Sequence, residues 1–371
     1  MSDNLFVNPP LDFLFPKEEI SKDDFVAFSK KMTNLLRKAH GNIPKKCHLC
    51  NEDISSFCNS HTLPQFCLKN IAEKGMVMSP SSILGTPILE KDTGVAKTGI
   101  FHLICNKCDN EKFSEYETPE KYLTLPSRKM LAQIAMKNAL RAIYKRYTEI
   151  ATYKELLKDI FFDSFLTSYI QGTLNVAQRD FEDYKKDLNY AKKSLEKDIN
   201  DGFYLGFYKK VDYIIPIASQ TEAVLISDLG NNLVNNIYNS SKSYHLQPLH
   251  ICLFPLDGYS VIFMFVKEGH TRLRNFFKTL NQLPDEEQLH IISYLVFLYS
   301  EDVYISKNIE KIIKSYTSVK NVVNTSNFSM GFLENLECLS PFEQIKPVQS
   351  NHRLDKFNDF PNLLSDKFKI D

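Results

Sequence analysis

An α+β fold is predicted for this chain from three features. Two long helical patterns lie between residues 120 and 200, a series of strand-like runs follows Gly202, and two CxxC pairs precede both. At 371 residues the chain exceeds one small module and suits two or three domains at the usual size of roughly 100 to 200 residues each. Hydrophobic residues make up 43% and charged residues 24%, without a Pro- or Gly-dominated stretch, which excludes a largely disordered or fibrous protein.

Taken in order, residues 1–45 hold an amphipathic helix in KEEISKDDFVAFSKKMTNLLRKAH, with Phe25, Phe28, Met32, Leu35 and Leu36 at helical spacing. Gly41 and Pro44 mark its end. Residues 46–119 carry both CxxC pairs, and SPSSILGTP and KDTG between them read as loops. Residues 120–200 form a helical region, expected as an antiparallel hairpin, because SRKMLAQIAMKNALRAIYKRYTEIATYKELL and NVAQRDFEDYKKDLNYAKKSLEKDI lack prolines and glycines.

Residues 201–316 read as an α+β domain with antiparallel strands. FYLGFYK, VDYIIPIA, EAVLISD, LHICLFPL and YSVIFMFV are rich in β-branched and aromatic residues. Asp257-Gly258 supplies a hairpin turn between the last two. RLRNFFKTLNQL, DEEQLHIISYLVFLYSE and KNIEKIIKSY return to helical spacing. Residues 317–371, Asn- and Ser-rich at their start, are expected to be an irregular tail.

Cys47 and Cys50, and Cys105 and Cys108, each present two thiolates from a tight turn. Together they supply the four sulfurs of a closed tetrahedral structural Zn2+ site. His48 is an alternative ligand or an exposed turn residue. Cys58, Cys67, Cys252 and Cys338 lack partner spacing and read as ordinary apolar residues.

CHLCNEDISSFCNSHTLPQFCLKNIA followed by GIFHLICNKCDNEKFSEYE resembles the HNH, or ββα-metal, endonuclease superfamily in its zinc-knuckle variant. The order is a first CxxC, a histidine-proline strand, then an apolar strand running into a second CxxC that opens a helix. The resemblance covers residues 46 to about 117. It implies an N-terminal zinc-stabilised ββα-metal (HNH-like) module, ahead of the helical middle region and the C-terminal α+β domain read from the sequence pattern.

The same resemblance implies metal-dependent endonuclease activity, of the kind found in bacterial antiviral defence proteins, with DNA or RNA as substrate. His61 takes the position of the general base, and Asp109 that of a ligand for Mg2+ or Mn2+. Asn110 and Glu117 follow Asp109, and two helical turns would bring Glu117 to the same face. Ser60 stands where relatives carry a stronger ligand, and no asparagine occupies the middle position near Gly99 and Ile100. Those departures point to the alternative, a non-catalytic zinc-stabilised module that binds nucleic acid or a protein partner. Asp109 reads equally as a helix cap, Glu117 as a solvated helix residue, and His102 as a packing residue.

Lysine plus arginine equals aspartate plus glutamate at 45 each, so nucleic-acid binding has to come from a local patch. Lys137, Arg141 and Lys145, spaced by four, read as such a stripe, with Tyr144 and Tyr147 available for stacking, or as a solvated helix face. His245, His250, His270 and His290 have no ligand spacing, and phosphate-loop, dinucleotide and serine-elbow motifs are missing. The α+β part is therefore expected to recognise a protein partner or a second subunit. With no run of about 18 apolar residues and no secretory pattern at the start, a cytoplasmic protein without membrane association is expected.

Overall fold

A computed structural model describes residues 43–83, 86–158, 164–196, 202–239, 241, 243–300, 302–328 and 340–370, with a few positions between 30 and 41. The N-terminal helix expected from Phe25, Phe28, Met32, Leu35 and Leu36, like Cys338, lies outside the described residues.

The fold is α+β, built on a seven-stranded antiparallel sheet of order β3-β2-β9-β6-β7-β8-β5, with a separate two-stranded sheet of β1 and β4. The strands of the small sheet are β1 (Ser60–His61) and β4 (Ile100–Phe101), with Ser60 opposite Phe101 and His61 opposite Ile100. Helix α1 (Gln65–Ile71) follows Pro64 and buries Cys67, Leu68 and Ile71. Helix α2 (Asn106–Phe113) starts at the second CxxC, with Cys105 as its N-cap.

The large sheet takes its central strands from the regions expected to be extended: β5 (Phe203–Val211), β6 (Ile217–Ala223), β7 (Leu249–Pro255) and β8 (Ser260–Lys267). Strand alternation divides their side chains between two cores. Ile251, Leu253, Ile262, Met264 and Val266 join α5 (Arg274–Leu280) and α6 (Asp285–Tyr299) on one face. Cys252, Phe254, Phe263 and Phe265 face the cysteine-bearing segment and the long helices on the other. Each fully buried Phe or Ile contributes roughly 1.5–3 kcal/mol of transfer free energy, so the two cores hold the sheet between two layers. Gly258 closes the β7–β8 turn at φ 77°, a conformation that favours glycine.

Helix α3 (Arg128–Leu156) is capped by Ser127, whose hydroxyl accepts from the Met130 amide at 3.1 Å. Its first part, Met130 to Leu140, is buried all round. Helix α4 (Ser164–Glu196) lies beside it, joined by Arg146–Asp180 at 3.2 Å and by edge-to-face packing of Tyr147 on Phe181.

The structure corrects two sequence expectations. SPSSILGTP and KDTG lie largely in the hairpin β2 (Met76–Ile83) and β3 (Thr86–Gly94), and β2 pairs with β9 (Val303–Ile305) through Met78 and Ile305. Segments 46–119 and 201–316 thus share one sheet. The hairpin resembles loop sequence because Pro87 and Gly94 stand on the edge strand β3 and Pro80 at the register shift between Ser79 and Ser81 in β2, places where the interior rules against such residues relax. The stretch 317–371 is also not uniformly irregular. After α7 (Glu310–Ser315), it contains α8 (Thr317–Phe328) and α9 (Pro341–Asn351). A capping box at Ser340 and Glu343 starts α9, and Leu354, Phe360, Leu363 and Leu364 enter the core.

Candidate functional site

The four knuckle cysteines come together. The sulfurs of Cys47, Cys50, Cys105 and Cys108 all lie within 4.8 Å of one another, close enough to hold a metal ion such as zinc. A zinc ion with sulfurs at about 2.3 Å would separate them by about 3.8 Å, so a small contraction completes the tetrahedron. The turns are formed by the backbone: Asn51, at φ 64°, donates its amide to the Cys47 carbonyl at 2.8 Å. The Cys105 amide donates to Cys47 Sγ at 3.4 Å, and the Cys108 amide to Cys105 Sγ at 3.5 Å. Burial opposes ionisation of Cys47, but donation from the Cys50, Cys105 and Leu49 amides outweighs it and brings the thiol down to about 7. This donor set fits zinc. His48 stays outside it, edge-on to Tyr147.

Beside the knuckles, β1, β4 and α2 surround a second polar centre. Asp109, in the first turn of α2, accepts from Ser60 Oγ at 2.6 Å and from Lys137 Nζ at 2.7 Å on one oxygen, and from Cys58 Sγ at 3.2 Å on the other. Lys137 also donates to Ser60 Oγ at 2.8 Å and lies 3.1 Å from Glu117 Oε1. Its side chain is 0% exposed and lies 4.2 Å from the centroid of the Phe113 ring. A buried ammonium needs such a set of acceptors and a π-face to offset desolvation.

The electrostatics follow from this geometry. Burial pushes the Asp109 carboxyl up, but Lys137 and the hydrogen bonds it receives hold it below the usual range. Glu117 is raised, because burial and Asp109 outweigh its attraction to Lys137. Burial and Asp109 push the Cys58 thiol up to about 12, so it stays protonated and donates. With both Asp109 oxygens engaged and a cation in place, this centre does not fit an added Mg2+ or Mn2+ ion.

His61 is half-buried, on the opposite side of β1 from Ser60. Its Nε2 lies 3.4 Å from the Val95 carbonyl oxygen and 3.5 Å from Gln65 Nε2. Burial lowers its pKa, which favours the neutral ring. An open depression of about 440 Å³ adjoins it, lined by Gln65, Lys69, Ala72, Gly75, Val95 and Ala96 among others. Asn110 is exposed on α2, away from the Asp109 centre. Glu117 reaches Lys137 by another route than two helical turns, since α2 ends at Phe113 and a turn follows. His102 bridges Asn59 and Tyr144 at 2.8 and 3.3 Å.

The basic stripe expected on α3 is engaged by acceptors within the chain, with Lys137 buried and Arg141 and Lys145 partly exposed. Arg141 and Lys145 both bind Asp302, at 3.2 and 2.8 Å, and Arg141 also donates to the Ile100 carbonyl at 2.8 Å. Burial opposes ionisation of Asp302, but Lys145 and Arg141 outweigh it and hold the carboxyl far below its ordinary value. With Lys137 fully buried, the three residues connect α3 to the small sheet and to Asp302 before β9; they do not form an exposed face for phosphates.

Sequence reasoning placed Lys137 on the surface and read Cys58 as apolar. The overlooked signal is that Lys137 is the sole charge in residues 130–140, MLAQIAMKNAL, so the helix turns no charged face outward there. Gly99, at φ 67°, accepts from the Thr62 amide at 3.0 Å, and a Cβ there would meet Tyr304 Oη at 2.7 Å. No helix among the described residues is long and apolar enough to cross a membrane. No protein-family model, curated protein or solved structure matches the chain.

Proposed function

We propose that this chain is a zinc-stabilised scaffold of the HNH, or ββα-metal, type in which the Lys137 ammonium takes the place of the catalytic divalent ion. On this reading it binds nucleic acid and does not cleave it by metal catalysis. The observation that carries it is the position of Lys137 Nζ, 2.7 Å from Asp109 and 3.1 Å from Glu117, the two carboxylates the resemblance assigns to the metal and its surroundings. The order of parts supports the scaffold: CxxC, the Ser60–His61 strand, the Ile100–Phe101 strand, then CxxC opening the helix of Asp109. Zinc held by four thiolates has no open position for water and serves as a clamp.

The binding surface on this reading is the depression beside His61. Gly75 and Ala72 leave room there, while Lys69 and Gln65 offer a cation and a hydrogen-bonding amide to a phosphate and a base. Binding of labelled DNA and RNA oligonucleotides, measured by fluorescence anisotropy, is expected to weaken several-fold in Lys69→Glu and to fall with rising salt. No binding to either nucleic acid would remove that partner and leave a protein partner.

A second reading is favoured by His61, whose half-buried neutral ring is suited to general-base work. In that case the protein is a metal-dependent endonuclease, with an effector role in bacterial antiviral defence, and Lys137 has to leave Asp109 before an ion enters. Plasmid or RNA cleavage that requires Mg2+ or Mn2+ and disappears in His61→Ala would establish this reading. Its absence across both ions supports the first.

A further inference from the structure

The four knuckle cysteines differ in how far solvent reaches them. Cys47 is 0% exposed and Cys108 5%, and Cys105 is half-buried as the N-cap of α2, whereas Cys50 is exposed. Among the described residues no other cysteine is exposed. Cys67 and Cys252 are sealed in the core, and Cys58 is half-buried with its thiol donated to Asp109 at 3.2 Å. Oxidants select sulfurs that are both thiolate in character and open to solvent. Zinc holds its ligand sulfurs as thiolates, so Cys50 combines the two conditions.

A second thiolate lies within reach of it. Cys47 and Cys50 belong to one turn, closed by the Asn51 amide on the Cys47 carbonyl at 2.8 Å and the Cys47 amide on the Glu52 carbonyl at 2.9 Å. Their sulfurs, like those of the whole cluster, lie within 4.8 Å of each other. The second pair is more sheltered: Cys108 is buried inside α2, and its amide donates to Cys105 Sγ at 3.5 Å. A small oxidant arriving from solvent therefore meets the first knuckle before the second.

We infer that the first knuckle is a modification site for hydrogen peroxide, at which Cys50 is oxidised, Cys47 closes a disulfide with it, and the zinc ion is released. The Cys50 thiolate attacks one peroxide oxygen; the S–O bond forms, the O–O bond breaks, and hydroxide leaves. The Cys47 thiolate then attacks the Cys50 sulfenic sulfur; the S–S bond forms, the S–O bond breaks, and a second hydroxide leaves. With two protons from solvent the balance is two thiolates and one peroxide giving one disulfide and two waters. The sulfur pair loses two electrons and peroxide gains them. Cys105 and Cys108 alone do not complete the four-thiolate set that a closed zinc site requires.

The turn that closes carries contacts to three neighbours. The His48 amide donates to the Leu103 carbonyl at 2.9 Å, the His48 ring stands edge-on to Tyr147 of α3, and the Leu49 carbonyl accepts from Lys192 Nζ of α4 at 3.0 Å. Oxidation therefore loosens the strand that leads into the second knuckle and its attachment to both long helices.

Peroxide acts in this way only on the zinc-loaded site proposed above, so the test begins by measuring zinc in the full chain. A chain without zinc at that stage contradicts the clamp itself. The loaded protein is then treated with hydrogen peroxide, zinc release is followed with a chromogenic chelator, and the disulfide is located by peptide mapping after free thiols are alkylated. One zinc released per Cys47–Cys50 disulfide is expected, with rebinding after a dithiol reductant and fresh zinc. Cys50→His, which keeps a zinc ligand but no sulfur to oxidise, is expected to release zinc roughly tenfold more slowly. Cys108→His is expected to release it at the wild-type rate. Zinc retained by the wild type under peroxide, release with a disulfide between Cys105 and Cys108, or release with no disulfide at all would overturn the inference.

Discussion

Lys137 Nζ lies 2.7 Å from Asp109 Oδ1, joining the middle of a buried helix to the first turn of the helix that follows the second knuckle. A full charge placed among Phe113, Phe101 and other apolar groups is held there by two carboxylates and a hydroxyl. Lys137→Met leaves Asp109 without its cation, and removing one partner of a buried pair typically costs about 3–5 kcal/mol. Chemical denaturation is expected to show a loss of this order. Lys137→Met combined with Asp109→Asn is expected to recover part of it, whereas strictly additive losses would argue against direct coupling.

One zinc ion per chain is expected by elemental analysis. Cys108→Ser or a strong chelator is expected to unfold the segment around β1 and α2, because metal binding there is linked to folding. Full retention of cooperative unfolding after chelation would show that the four thiols do not depend on metal.

Gly99 stands at φ 67° with Tyr304 Oη 2.7 Å from where a Cβ would lie. Gly99→Ala therefore meets backbone strain and a clash together, and a loss of about 1–3 kcal/mol is expected from thermal unfolding. Adding Tyr304→Ala should relieve only the clash, leaving the double variant still below Tyr304→Ala alone.

The acid side of the stability profile is expected to depend on Asp302. Its pKa is depressed by Lys145 and Arg141 against burial, so its contribution is full above its unfolded value near 3.9 and is lost as pH falls toward the folded value. Asp302→Asn is expected to flatten the pH dependence of unfolding free energy below about pH 4 and to cost roughly 3 kcal/mol at pH 7. An unchanged slope below pH 4 would assign acid unfolding to other carboxyls.

How much was legible in the sequence depended on whether local pattern and tertiary environment agreed. The β-branched and aromatic content of LHICLFPL and YSVIFMFV, with Asp257-Gly258 between them, indicates the β7–β8 hairpin because strand propensity and turn chemistry are local properties. The cysteine pairs converge because CxxC spacing specifies the turn. Strand β3 escaped because a polar, Gly- and Pro-containing edge has no strong β signature, and β2 because its Ser- and Pro-containing run is interrupted by the irregularity between Ser79 and Ser81. Lys137, Arg141 and Lys145 were misplaced because spacing by four defines a helix face without saying which way it points. Asp109, Glu117 and Asp302, brought in from other parts of the chain, are what hold that face against the protein. His61 and Asp109 were singled out by motif, but the cation beside Asp109 comes from a helix that the motif does not include.

The central claim, that the Lys137 ammonium replaces a divalent ion at Asp109, is tested most directly by titrating Mn2+ into the zinc-loaded protein and following bound ion by electron paramagnetic resonance. The account predicts no saturable site in the wild type and no difference from Asp109→Asn. One Mn2+ bound per chain in the wild type, and lost in Asp109→Asn, would contradict it.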